Sequence, residues 1–127
     1  SEYTKISFES YKIITMDSIL YDKFILNDKY KNLKGEGGND LYEEMLKFIK
    51  EINNEEEIAV IKKEIYNWLL IGRSSYFIMA VNFIGDLNLV EYKPELKRLR
   101  IEIIKKHIPD FPEYFIDFID ESIKRIA

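Results

Sequence analysis

The chain has 127 residues, of which 46% are hydrophobic and 33% are charged, a composition typical of one globular domain and too apolar for intrinsic disorder. Its net charge of −4 argues against a nucleic-acid-binding protein, because neutralising phosphates requires a basic surface. The absence of cysteine excludes disulfides, thiolate metal sites and cysteine nucleophiles, and it favours a reducing compartment.

The N-terminal segment does not resemble a secretory signal, since it lacks a basic start and an apolar core. Apolar and polar residues roughly alternate over residues 3–9, which predicts an extended arm or a short strand within residues 1–15. The most apolar run, YFIMAV, is too short to cross a bilayer. We therefore expect a cytoplasmic protein with no membrane segment and a single domain over residues 1–127.

Hydrophobic spacing predicts helices along the rest of the chain. A first helix is predicted over residues 17–31, with Ile19, Leu20, Phe24, Leu26 and Tyr30 inside, and the glycines of KGEGGND end it. Asp40 with Glu43, and Asn54 with Glu57, have the spacing of a capping box, so helices are predicted to begin at both places. Gly72 is a natural stop for the second of these helices.

The next helix follows a capping residue, Ser74, and is apolar nearly all round, which indicates a central, buried position. Pro94 falls at the expected first position of the helix after it. That helix has two apolar stripes, which predict contact with two neighbouring layers. They are Leu96, Leu99 and Ile103, and Ile101, Ile104 and Ile108.

The last helix is predicted to be capped by Asp110 and Glu113. Its predicted inner residues are Phe115, Phe118, Ile119, Ile123 and Ile126. Together the elements predict an all-α fold of five to six antiparallel helices, stacked as a short HEAT-like solenoid or packed as a compact bundle. Corresponding helix starts recur about 35 to 40 residues apart, which is within the range of two-helix repeats.

The segment AVNFIGDLNLVEYKPELKRL resembles a HEAT-type repeat. In that family a first helix ends in alanine, a large apolar residue, glycine and leucine, and a proline then opens a second helix with paired leucines. The matching residues here are Ala80, Ile84, Gly85, Leu87, Pro94, Leu96 and Leu99. Arg73 is offset from the arginine of the family's pattern. The resemblance implies stacked helices with a concave face for a partner. In a bundle the same glycine and proline would only mark a helix joint. In either arrangement Gly85 is expected to permit close approach of a neighbouring helix.

The sequence contains no motif for a catalytic set, a cofactor or a metal site, so a non-enzymatic protein is predicted. The only histidine, His107, falls near a helix C-terminus, where a structural role is favoured. The glycine-rich KGEGGND lacks the Gly-Lys-Ser/Thr ending of a phosphate-binding loop, which favours a flexible connector.

Carboxylates cluster on one face of the last helix. We call this cluster the acidic ridge, and its members are Glu113, Asp117, Asp120 and Glu121. Paired carboxylates could bind Mg²⁺ or act as acid and base. Alternatively, Asp120 with Lys124 and Glu121 with Arg125 could form i,i+4 ion pairs on a solvated face. As a third option, the ridge could meet a basic partner.

A second charged surface is predicted on the helix over residues 94–108. This basic face consists of Lys97, Arg98, Arg100, Lys105 and Lys106, and it could meet an anionic partner or only maintain solubility. Four tyrosines outside the clear apolar stripes are compatible with a contact surface, because tyrosine is favoured at interfaces. They are Tyr42, Tyr66, Tyr92 and Tyr114.

The small size, mild acidity and absence of a catalytic set, with the HEAT-like segment, look similar to immunity proteins of bacterial toxin systems. This resemblance implies a protein-binding module that neutralises a cognate toxin by direct binding, and the basic groove of a nuclease toxin would suit the acidic ridge. The first alternative is a HEAT-like nucleic-acid-binding domain that uses the basic face. The second is an enzyme with a carboxylate-bound metal.

Overall fold

The structure is a computed structural model that describes residues 18–26, 39–71, 75–106 and 111–127. The predictions for residues 1–15, the glycines of KGEGGND, His107 and Ile108 lie outside these ranges. Every regular element within the ranges is helical, so the predicted all-α class is confirmed. Five α-helices are present there: α1 (Asn39–Lys50), α2 (Glu55–Ile71), α3 (Ser75–Asp86), α4 (Lys93–Ile104) and α5 (Tyr114–Arg125).

Two shorter helical elements complete the described part of the chain. A π-helical turn covers Tyr21–Ile25, and a 3₁₀ turn covers Val90–Tyr92 immediately before α4. None of the helices in the described ranges is long and apolar enough to cross a membrane. The described residues fall into two compact units whose boundary lies within α2, between Glu64 and Ile65. The prediction of a single domain stays a prediction, and each unit is described separately.

The first unit is built on the apolar face of α1, as predicted. Leu41, Met45 and Ile49 are buried, because spacings of three and four residues place them on one side of the helix. Phe24 of the π-helical turn is buried with them, and its ring meets that of Phe48 edge-on at 5.5 Å. The first predicted helix is wrong at one inner position, since Leu26 ends the π-helical turn and 58% of its surface is exposed.

The start of α2 is fixed by the predicted cap. The side-chain oxygen of Asn54 accepts hydrogen bonds from the backbone N–H groups of Glu56, at 2.8 Å, and Glu57, at 3.1 Å. These are donors that the first helical turn leaves without an intrahelical partner. The three glutamates of the first turn add favourable charge at the positive end of the helix dipole. The helix ends at Ile71, one residue before the predicted stop at Gly72.

In the second unit α3 is heavily buried, as its nearly continuous apolar sequence predicts, and α5 is the helix that packs against both α3 and α4. Its fully buried residues are Phe77, Ala80, Val81, Phe83, Ile84 and Gly85. The ring of Phe77 stacks on Phe115 at 5.4 Å and meets Phe111 edge-on at 4.9 Å, and Phe111 and Phe115 also meet edge-on at 5.0 Å. This aromatic cluster joins the beginning of α3 to the beginning of α5.

Contacts along the helices establish their directions. Phe77 meets Phe115 near the start of both helices, and Asp86 pairs with Arg125 at 3.0 Å near the end of both, so α3 and α5 run in the same direction. Helix α4 also packs against α5, but antiparallel to it. Lys93, at the start of α4, donates to the backbone oxygen of Ile126, just past the end of α5, at 3.4 Å.

The expectation for Gly85 is confirmed. A Cβ added at this residue would lie 2.6 Å from the Ser122 hydroxyl oxygen and 2.8 Å from Nη2 of Arg125. Ser122 is itself fully buried, and its hydroxyl donates to the backbone oxygen of Val81 at 2.6 Å. Helices α3 and α5 therefore approach closely here because neither residue 85 nor residue 122 carries a large side chain.

One of the two predicted stripes of α4 is buried and the other is not. Leu96, Leu99 and Ile103 are buried and Pro94 is the second helical residue, whereas Ile101 and Ile104 are 48% and 49% exposed. The second contact layer is therefore wrong for these two isoleucines, because α4 buries a single face in this unit. Similarly Phe118, predicted inside α5, is 36% exposed.

Candidate functional site

The members of the acidic ridge share the outward face of α5, as predicted. The buried residues of α5 recur at Phe115, Ile119 and Ser122, which leaves the ridge positions on the opposite side of the helix. Glu113, Asp117 and Glu121, spaced four residues apart, are exposed, and Asp120 is half-buried. Glu113 immediately precedes the helix, and its side chain forms no capping hydrogen bond with the first turn. Asp110 lies outside the described residues.

Asp120 is joined to the basic face rather than to its own helix. Its Oδ1 accepts from Nε of Arg100 at 2.5 Å, and its Oδ2 accepts from Nη2 at 3.4 Å. The hydrogen bond and the charge of Asp120 raise the pKa of Arg100 above its ordinary value. The predicted i,i+4 pair of Asp120 with Lys124 is therefore replaced by an interhelical pair. Acidic ridge and basic face, predicted as alternative sites, meet at this contact between α4 and α5.

The two cations at the end of α5 also have partners that the sequence spacing did not predict. Lys124 pairs with Glu121 one turn earlier at 3.5 Å, and both side chains are largely exposed. Arg125 pairs with Asp86 at the end of α3. Glu121 therefore has an exposed, solvent-screened partner, whose contribution is small.

The basic face does not form one continuous cationic site. Arg100 is held by Asp120, and Arg98 pairs with Glu95 of the same helix. The three lysines are exposed, and they are Lys97, Lys105 and Lys106. Lys106 has a left-handed backbone, with φ of 58°, just beyond the end of α4. Two of the five predicted cations are thus already neutralised by carboxylates.

Two exposed aromatic rings border the acidic ridge. Tyr114 is 57% exposed and Phe118 is 36% exposed, and their ring centres lie 6.3 Å apart in an edge-on arrangement. We define the acidic-aromatic face of α5 by Glu113, Tyr114, Asp117, Phe118 and Glu121. Tyrosine and phenylalanine are enriched at contact surfaces relative to the rest of a protein surface. The sequence pattern indicates Tyr114 as a contact candidate but places Phe118 in the core.

The other candidate tyrosines pack against neighbours. Tyr66 and Tyr92 are half-buried and their rings stack at 5.4 Å. Burial, with the nearby charge of Glu91, raises the pKa of Tyr92. Tyr42 is also half-buried. Among the four candidates, Tyr114 is therefore the most suitable for contact with a partner.

A buried carboxylate in the first unit was missed by the sequence analysis. Glu64 of α2 is 1% exposed. Its Oε1 accepts from the backbone N–H groups of Ile19, at 3.0 Å, and Leu20, at 2.9 Å. Its Oε2 accepts from the backbone N–H of Tyr21, at 2.9 Å, and from the hydroxyl of Ser18. One side chain therefore satisfies the start of a helical segment more than forty positions earlier in the chain.

The environment of Glu64 has opposing effects on its ionisation. Burial raises its pKa, because the charged form loses its hydration, and the hydrogen bonds from Ser18 and the three backbone groups partly oppose that effect. A sequence signal for this site does exist. Glu64 falls on the same stripe as Ile61, Ile65 and Trp68, where a charged residue demands a partner.

Two further findings bear on function. Within the described ranges, no group of three or more histidine, cysteine, aspartate or glutamate residues is placed to hold a metal ion. No protein-family model matches the chain, and neither do any of the curated proteins or solved structures compared with it.

Proposed function

We propose that this chain is a cytoplasmic, non-enzymatic protein-binding module that neutralises a cognate bacterial toxin by direct binding, through the acidic-aromatic face of α5. The observation that carries the proposal is the exposure of Tyr114 and Phe118 beside three exposed carboxylates. Aromatic rings supply the apolar area that a partner can bury, and they are common at binding hot spots. A basic toxin surface, such as the substrate groove of a nuclease, is the complementary partner.

The charges of this face suit the capture of a basic partner. Glu113, Asp117 and Glu121 are solvent-exposed, and within the described part of the chain only Glu121 forms an ion pair, with the flexible Lys124. Exposed charges of one sign accelerate association with a partner of opposite sign, and salt screens that effect. Asp120 contributes less, because Arg100 already neutralises it. The ridge that is available to a partner thus consists of three of the four predicted carboxylates.

The helix directions in the second unit support the HEAT-type resemblance. In stacked two-helix repeats, the first helices of successive repeats run parallel and the intervening helix runs antiparallel to them. Helices α3 and α5 are parallel, and α4 is antiparallel to α5. They begin at Ser75 and Tyr114, a separation that suits such a repeat. HEAT-type domains act by presenting surfaces to partners, which agrees with a binding function.

The proposal is tested by taking the protein encoded by the reading frame next to that of this chain as the toxin candidate. Expression of that protein alone should arrest bacterial growth, and co-expression of this chain should restore it. The variant Asp117→Lys/Glu121→Lys should lose protection, whereas the charge-matched control Glu44→Lys/Glu51→Lys, at exposed positions on and just after α1, should keep it. Equal protection by both variants would exclude the acidic-aromatic face. Failure of the purified wild-type chain to bind the candidate or to restore growth would overturn the function.

Binding kinetics give a second readout of the same surface. Asp117→Lys/Glu121→Lys should associate with the purified toxin more slowly than the wild type, and its association rate should depend less on salt, because electrostatic steering acts mainly on that rate. Biolayer interferometry at several salt concentrations measures the association rate and its salt dependence. An association rate unaffected by the charge reversal would show that the partner meets another surface.

A further inference from the structure

We propose that two copies of this chain associate through the outer surface of α4 and α5, with a basic stripe on α4 of each copy resting on the acidic ridge of the other. The basic stripe consists of Lys97, Ile101, Ile104 and Lys105, all of them exposed. The proposal goes beyond the toxin-binding function and does not rest on it. Because both contacts use Asp117 and Glu121, a second copy and a toxin would compete for the acidic ridge.

The basic stripe is an amphipathic surface that no described helix of its own unit covers. Positions 97, 101, 104 and 105 fall on one side of a helix whose opposite side holds the buried Leu96, Leu99 and Ile103. Ile101 and Ile104 are each about half exposed, with a lysine at either end of the pair. Apolar residues flanked by cations favour a partner that offers apolar surface and carboxylates together.

Carboxylates suited to the two lysines lie on the adjacent helix of the same chain. Asp117 and Glu121 are exposed on α5, and the intramolecular pair of Arg100 with Asp120 holds the two helices side by side. The contact of Lys93 with Ile126 shows that they are antiparallel. A two-fold axis parallel to these helices places α4 of one copy over α5 of the other, twice, and it preserves the height of every residue along the helices.

The register of the charges fits this symmetry. The Arg100–Asp120 pair sets a common level along the two helix axes. With a rise of about 1.5 Å per residue, Lys97 lies about 4.5 Å and Glu121 about 1.5 Å from that level, both in the direction of the start of α4. Towards the end of α4, Lys105 lies about 7.5 Å and Asp117 about 4.5 Å from the same level. Each lysine is therefore within about 3 Å, along the helix, of a carboxylate of the other copy, a distance that flexible side chains bridge.

A second copy explains these features better than a lipid surface does. An anionic membrane would attract the three exposed lysines, but the exposed carboxylates on the neighbouring helix would be repelled by it. In a two-fold dimer the lysines of each copy pair with the carboxylates of the other, and Ile101 and Ile104 of both copies lie within the interface. The interface is closed, so the association stops at two copies.

Sedimentation velocity over a concentration series tests the proposal without any toxin. The wild type should shift from monomer towards dimer as concentration rises, and added salt should reverse the shift. Lys97→Glu/Lys105→Glu, and separately Asp117→Lys/Glu121→Lys, should each weaken dimerisation roughly 100-fold, because like charges then face each other twice. The control Glu44→Lys/Glu51→Lys should dimerise like the wild type.

The decisive sample is an equal mixture of the two charge-reversed variants. Each variant repels itself, but in the mixed pair both contacts join opposite charges, so a heterodimer should form. Circular dichroism establishes that both variants are folded before mixing. A wild type that stays monomeric throughout the series, or a mixture that stays monomeric, would overturn the proposal. Toxin protection by Lys97→Glu/Lys105→Glu should be unimpaired, since this variant leaves the acidic-aromatic face intact, so the two proposals fail separately.

Discussion

Gly85 and Ser122 meet at the closest approach of α3 and α5, where a Cβ at residue 85 would lie only 2.6 Å from the serine hydroxyl oxygen. The hydroxyl cannot simply rotate away, because it donates to the backbone oxygen of Val81. The glycine therefore serves helix packing rather than backbone freedom, since it lies inside a helix. This contact is the physical basis for the first prediction.

Gly85→Ala should destabilise the protein by about 1–3 kcal/mol, the usual cost of overpacking a well-filled core. The sign of this stability change is informative, because alanine is favoured over glycine by about 1 kcal/mol in a helix without such a contact. Urea denaturation followed by circular dichroism measures the free energy of unfolding. A variant as stable as the wild type would show that α3 and α5 can separate without cost.

The matched control for this prediction is a double-mutant cycle. Ser122→Ala removes the hydroxyl and its bond to Val81, at a cost of about 1 kcal/mol. In the double variant the added methyl group no longer meets that oxygen, so the combined loss should be smaller than the sum of the two single losses. Additive losses would assign the effect of Gly85→Ala to its other close neighbour, Arg125.

The features that the sequence predicted correctly are those determined within one helix. The Asn54 cap depends on residues two and three positions away, and the burial of α3 follows from its nearly unbroken apolar composition. Gly85 was also anticipated, because a glycine inside an apolar helix usually has a packing reason. Local periodicity and capping chemistry are sufficient for such features.

The features that the sequence did not predict depend on which face of a helix finds a partner. Ile101 and Ile104 have the same spacing as buried residues, but no described helix covers them. Asp120 was expected to pair along α5, yet Arg100 reaches it from α4 and donates to both of its carboxylate oxygens. The position of the acidic ridge on α5 was therefore predicted correctly, but the ion-pair partner of Asp120 was not. Residue spacing along one helix carries no information about pairing with another helix.

Glu64→Gln should destabilise the first unit by about 1–3 kcal/mol at neutral pH. An amide has one accepting oxygen, so its NH₂ group would face backbone donors that the carboxylate now satisfies, and buried donors without acceptors are costly. Urea denaturation, followed by a spectroscopic signal that arises from the first unit, measures the loss in free energy of unfolding. The control is Glu51→Gln, at an exposed position after α1, which should change stability little. Equal effects of the two variants would contradict the structural role of Glu64.

The stability contributed by Glu64 should also depend on pH in a defined direction. Burial raises its folded-state pKa above the value of about 4.3 expected in an unfolded chain. The part of its contribution that is linked to protonation is then complete below the unfolded pKa and is lost as pH rises through the folded pKa, whereas the hydrogen bonds from the backbone donors persist. The stability of the wild type relative to Glu64→Gln should therefore decrease as pH rises from about 3 towards neutrality. An increase over that interval would show that the hydrogen bonds outweigh burial and lower the pKa.

The wild-type chain should not retard nucleic acid in a gel-shift assay at low salt. Two of the five cations of the basic face, Arg98 and Arg100, are paired with carboxylates, and the chain carries a net charge of −4. Phosphate binding depends on several unpaired cations and is strongest at low salt, so this condition is the most permissive one. A retarded band that Lys97→Glu/Lys105→Glu abolishes would contradict the prediction and restore the nucleic-acid alternative. A band that this variant leaves unchanged would place nucleic acid at a different surface.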